Sequence, residues 1–241
     1  MGVDLLLTAA VLVAIWVSFT VSASAGLGGS LVLVPSLALV MGTKEGVALA
    51  ALLLGANNVL KVLAYRRTLP FRAAALVVAL LSLGAFLGAS LLVRAPEAVV
   101  GVAVLVAFAL TLVAEQRGWL RVRRFGAPAL AFGAGATSGF SGTSGPLKGA
   151  AIRNLSLDKL HFVGAASLAS LFGDLTKTAV FAEAQLLDGD ELRLAAASVP
   201  LMIVGTLTGR RLNHRLGETG FAILFWTVMA GYALRVTLTL L

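Results

Sequence analysis

Six apolar stretches, at roughly 46–64, 71–93, 97–116, 161–182, 191–210 and 217–240, decide the solvent in which this chain can fold. A helix rises 1.5 Å per residue, so about 20 such residues cross the hydrocarbon core of a bilayer. Charged residues make up only 12% of the 241, about half the usual share of a soluble domain, and no polar stretch is long enough to build one. Residues 1–241 are therefore expected to form a single transmembrane unit of helices, an all-α polytopic membrane protein. The opening run from Leu5 to about Ala25 has no basic residues before it and carries Asp4 instead, which favours retention over cleavage as a signal peptide.

The chain also repeats itself. Gly26-Leu-Gly28-Gly29 recurs as Gly142-Thr-Ser-Gly145, and Asn57-Asn58-x-x-Lys61 recurs as Gly173-Asp174-x-x-Lys177, both after a shift of 116 residues. Gly84-x-x-x-Gly88 recurs as Gly205-x-x-x-Gly209 after 121, which fits a short insertion in the second copy. Each half opens with two apolar pieces joined by a Gly-rich turn, about 5–25 with 30–42 and about 126–140 with 145–156. The second piece of each pair is too short to cross alone, so each pair reads as a helical hairpin, re-entrant into the membrane, followed by three spans. Repeat 1 then covers 1–116, repeat 2 covers 126–241, and 117–125 is a basic linker.

Basic residues supply the orientation, because cytoplasmic loops collect Lys and Arg. With the linker holding Arg117, Arg121, Arg123 and Arg124 inside, Arg66, Arg67, Arg72, Arg153, Lys159, Arg210, Arg211 and Arg215 also fall inside. Only Lys44, Arg94 and Arg193 fall outside, together with the acidic loop around Glu183, Asp188, Asp190 and Glu191. Three crossings per half is an odd number, so the halves are expected to be inverted repeats in the cell membrane with the central loop cytoplasmic.

The same placement at segment ends explains the net charge of +8 and pI near 10.8 without a nucleic-acid partner. With no Cys and two His, the sequence offers no disulfide, iron–sulfur cluster or thiolate zinc site, and it points to no metal and no cofactor. It has no paired catalytic carboxylates, histidine cluster or nucleophile–base spacing, so it does not read as an enzyme. The spacing Gly133-x-Gly135-x-x-x-Gly139 does not match a dinucleotide fingerprint.

Candidate ligand contacts fall in two places. The first is the hairpin turns, where Gly28, Gly29 and Ser30 face their counterparts Ser141, Thr143, Ser144 and Gly145. Irregular backbone at membrane depth survives only under protein or beside a wet cavity. Pro146 suits a helix start, and a helix starting there aims free N–H groups and its positive end at an anion. Lys148, at the third position of that helix, opposes the dipole and needs a negative partner. The second place is the polar middle of two spans, with Asn57, Asn58 and Lys61 in one and Asp174 and Lys177 in the other. Asp174 and Lys177, three apart, are placed to neutralise each other, which leaves Lys61 for a ligand. The plainer alternatives are close packing for the small residues and snorkelling to the interface for the lysines. The Gly84/Gly88 and Gly205/Gly209 pairs read as packing faces, and Arg235 as an interfacial snorkeller.

With two Gly-rich hairpins and these polar helices, the chain resembles the TauE/SafE sulfite-exporter family, also called the 4-toluene sulfonate uptake permease (TSUP) family. That family reads G-x-G-G-G with a following Pro in each half. Here the first copy is Gly26-Leu-Gly28-Gly29-Ser30 with Pro35, and the second, Gly142-Thr143-Ser144-Gly145-Pro146, departs further. The resemblance implies a secondary transporter, an exporter, of a small sulfur-containing anion such as sulfite or an organosulfonate, alternating access around the hairpin tips. Its partners would be that anion and the lipid bilayer, and it admits a homodimer. Transport of another small anion, of a proton-coupled solute through Asp174, or a non-transporting role in membrane assembly stay open.

Overall fold

The computed structural model describes residues 5–25, 30–117 and 126–240. All regular structure among them is helical: α1 (Leu5–Ala25), α2 (Ser30–Met41), α3 (Thr43–Ala64), α4 (Phe71–Arg94), α5 (Glu97–Arg117), α6 (Ala127–Ser141), α7 (Gly145–Arg153), α8 (Lys159–Glu183) and α9 (Gly189–Leu240). The chain is thus an all-α polytopic membrane protein. Three of these segments, α3, α4 and the Gly189–Gly209 part of α9, are long and apolar enough by length and composition to cross a membrane. The hairpin tip with Gly28 and Gly29, and most of the linker, lie outside the described residues.

Several boundaries follow from local chemistry. Asp158 caps α8, its carboxylate accepting from the backbone N–H groups of Leu160 and His161. Gly142 ends α6 in the left-handed conformation at φ 78°, and its N–H bonds the carbonyl of Ser138. The start of α3 is closed from another helix, since the Thr43 N–H donates to the Glu97 carboxylate at 2.6 Å. That places an acid at the positive end of α3, where it is favourable.

The last two predicted spans belong to one element. Helical backbone runs throughout α9, yet Arg193 and Leu194 share a crevice with Met41, while Arg235 donates to the carbonyl of Leu39. In a straight helix residues 193 and 235 would lie about 63 Å apart. Both reach the end of α2, so α9 doubles back between them, and spans 191–210 and 217–240 are its two arms. Arg235 is thus tied to α2, not simply snorkelling.

In α4 the buried face combines Val77, Leu81 and Leu92 with the small residues Ala74, Gly84, Ala85, Gly88 and Ala89, whereas Leu76, Leu83, Leu87 and Leu91 point outward and are exposed. Likewise α5 exposes Val99, Val102, Val106 and Leu110. Apolar side chains at helical spacing on an outer face are the pattern of helices solvated by lipid. The glycines of the inner face of α4 let backbones touch. A Cβ on Gly84 would lie 2.1 Å from the Phe132 carbonyl oxygen, and one on Gly135 would lie 1.9 Å from that of Leu81, so α4 and α6 cross at a glycine-lined contact. At the opposite flank, α9 meets α1, where a Cβ on Gly205 would lie 2.9 Å from the Trp16 carbonyl oxygen. Phe132 follows Trp16 by 116 residues, and Gly205 follows Gly84 by 121.

Candidate functional site

Between α2, α3, α4, α6, α7 and α8 lies a cavity of about 90 Å³. Its polar lining comes from Ser30, Asn58, Lys61, Ser138, Ser144, Lys148, Ser170 and Asp174, and its apolar wall from Leu54, Leu81 and Ala169. Two short helices begin there. Ser30 opens α2, and Ser144 stands at the N-cap position of α7 without its side chain bonding the backbone. The second hairpin tip presses on α2, since the Gly142 α-carbon leaves its would-be Cβ only 2.9 Å from both Val34 methyls. Gly142 therefore serves both its positive φ and this close approach.

Asp174 organises the floor of the site. One carboxylate oxygen accepts from the Asn58 amide at 2.7 Å, and the other pairs with the Lys177 ammonium at 2.7 Å. Lys177 donates further to the Ser138 hydroxyl at 3.0 Å and is only 1% exposed. The network thereby ties α3, α8 and α6 together through groups that are all buried. Removing one partner of such a pair leaves a charge unpaired in a dry setting, which costs about 3–5 kcal/mol. Asn58 and Asp174 stand 116 residues apart in sequence and bond directly.

The remaining cations are held differently. Lys148 donates to the neutral Ser170 hydroxyl at 2.7 Å. Lys61 is exposed at the cavity edge and has no hydrogen-bond or ion-pair partner among the described residues. No group of His, Cys, Asp and Glu among the described residues is arranged to hold a metal ion.

Of the residues expected from sequence, Ser30, Asn58, Lys61, Ser144, Lys148 and Asp174 converge on this cavity, with Lys177 directly behind Asp174. Its burial overrides the snorkelling alternative for Lys177. Asn57 instead lines a separate apolar crevice between α3 and α9 with Val199, Ile203 and Leu207. One residue's step turns a helix by about 100°, which carries neighbours Asn57 and Asn58 to different faces. The Ser141 hydroxyl is spent on the Thr137 carbonyl at 2.8 Å. Thr143 is buried next to the tip without lining the cavity, and Gly145 is the first residue of α7. Ser170 was not anticipated, although it precedes Asp174 by one helical turn and so shares its face.

The profile of the family described as sulfite exporter TauE/SafE matches residues 10–236, nearly the whole chain. The chain belongs to that family. No curated protein and no solved structure matches it. Membership in TauE/SafE makes this a membrane transporter of the anion-exporter type. In this TauE/SafE protein the lysines and hydroxyls of the cavity are the groups suited to an anionic cargo: ammonium ions supply charge, and serines adjust their single proton to the oxygen they meet.

Proposed function

We propose that the protein is a secondary transporter that exports a small sulfur-containing anion, such as sulfite or an organosulfonate, across the cytoplasmic membrane. The observation that carries the reading is the cavity at the hairpin tips, where Lys61 and Lys148 meet four serine hydroxyls and the starts of two helices. In this reading Ser30, Asn58, Lys61, Ser144 and Lys148 contact substrate, while Asp174 and Lys177 hold the helices around it. A membrane potential negative inside drives an anion outward by about 2.3 kcal/mol per charge per 100 mV, so export proceeds without a nucleotide.

Alternating access follows from inverted repeats spanning 1–116 and 126–241, with the basic linker 117–125 cytoplasmic. Support comes from the matched crossings, Gly84 on Phe132 and Gly205 on Trp16, which are exchanged by swapping the halves. The Asn58–Asp174 bond joins equivalent positions, so it lies on the axis that such a swap requires. A site on that axis is open to either side when one half rocks against the other. Proton coupling through Asp174 is disfavoured, because both of its oxygens are already held by Asn58 and Lys177.

The test is flux in proteoliposomes under an imposed potential. Lys148→Ala is expected to abolish sulfite efflux while the purified protein keeps its thermal stability. Undiminished flux in Lys148→Ala overturns the assignment of this cavity as the translocation site.

A further inference from the structure

Among the described residues, the electrostatic neighbours of Lys148 are Asp174, Lys61 and Lys177. Three ammonium groups thus surround one carboxylate. Asp174 and Lys177 contact each other at 2.7 Å and neutralise one another inside the protein. Lys148 has a neutral hydroxyl as partner and Lys61 has no hydrogen-bond or ion-pair partner among the described residues, so two positive charges facing one small space are left uncompensated among them. Resting on the anion-transport reading, we propose that the cavity selects dianions over monoanions of the same shape, with Lys61 and Lys148 as the two compensating charges.

A dianion balances both ammonium groups at once, and a monoanion leaves one of them without a counter-charge at the site. The geometry favours one compact ligand over two separate monoanions, because the cavity is only about 90 Å³. Oxygens of a tetrahedral or pyramidal oxyanion can be shared between the two lysines, the unused Ser144 hydroxyl at the N-cap of α7 and the Ser30 hydroxyl. The positive ends of α2 and α7 add to the same preference. Among sulfur anions this favours inorganic dianions, and organic anions carrying two charges, over singly charged sulfonates.

The experiment compares sulfate with methanesulfonate, which share a tetrahedral sulfur centre and differ by one charge. Binding to the purified full-length protein is measured by isothermal titration at constant ionic strength. Sulfate is expected to bind about tenfold tighter or more. Lys61→Gln and Lys148→Gln are each expected to bring the two affinities close to parity, by weakening sulfate far more than methanesulfonate. Lys61 is exposed and unbonded, so its variant is expected to fold whatever becomes of the other. Equal affinities in the unmodified protein overturn the dianion preference while leaving anion transport standing. A proportional loss of both ligands in the variants assigns the lysines a structural role and also overturns it. Saturable binding of neither anion removes both this inference and the anion site on which it rests.

Discussion

Replacing Gly135 with alanine tests the packing that shapes the site. The added Cβ would lie 1.9 Å from the Leu81 carbonyl oxygen and 2.8 Å from the Ala85 nitrogen, and both obstacles are backbone. Non-bonded carbons do not approach such atoms closer than about 3 Å, so α4 and α6 must separate locally by about 1.1 Å. Overpacking of this kind costs about 1–3 kcal/mol, and rigid backbone on both sides places it at the upper end. At about 1.4 kcal/mol per tenfold, the folded-to-unfolded ratio falls about a hundredfold. Gly133, on the same helix, has nothing within 4 Å of its would-be Cβ, so Gly133→Ala is the control. That change should be neutral or stabilising by up to about 1 kcal/mol, the helix-propensity difference. Thermal aggregation of the detergent-solubilised protein, followed by fluorescence size-exclusion, reads both. Because Leu81 lines the cavity and Ser138 rides on α6, flux should fall with stability in Gly135→Ala. Equal melting of the two variants would refute the close-contact argument.

Asn58→Ala removes a 2.7 Å donor from a buried carboxylate and should destabilise by about 1.5–3 kcal/mol, as measured by chemical denaturation in detergent. Glu97→Gln weakens the cap on α3 by withdrawing an anion from its positive end, and a loss of about 0.5–2 kcal/mol is expected in the same assay. Hydrogen bonds from the His161 backbone and then its side chain hold the Asp158 carboxyl below its ordinary value of 3.8. Its pKa is lowered on folding, so its contribution is fully present above the unfolded value and lost as pH falls through the lowered folded one. Stability of the unmodified protein and of Asp158→Ala, compared across a pH series, should therefore differ at neutral pH and converge in acid.

The span pattern was legible because each apolar run answers to one local requirement, internal hydrogen bonding in lipid. Helices α3, α4, α5 and α8 follow the runs that predict them to within a few residues. The second hairpin was equally readable from Gly142 and Pro146, since a left-handed turn and a missing N–H are properties of single residues. Two features of the site were not. Asn57 and Asn58 look interchangeable in sequence, and only their helix's rotation against α8 sends one to the cavity and the other to the crevice with α9. Ser170 looked like any small residue in a helix until Lys148 arrived from α7.

By itself the sequence determined the solvent, the helices, the duplicated pattern and the polar residues that had to find company at membrane depth. It also determined that Asp174 and Lys177, one turn apart, would meet, because that distance is fixed within a single helix. Tertiary structure decided which charges remained unbalanced. Asn58 reaches Asp174 across 116 positions, Lys177 is sealed behind Ser138, and Lys61 and Lys148 are left around one cavity. Charge balance depends on distances between residues on different helices, which exist only once those helices have packed, a property of the assembled molecule.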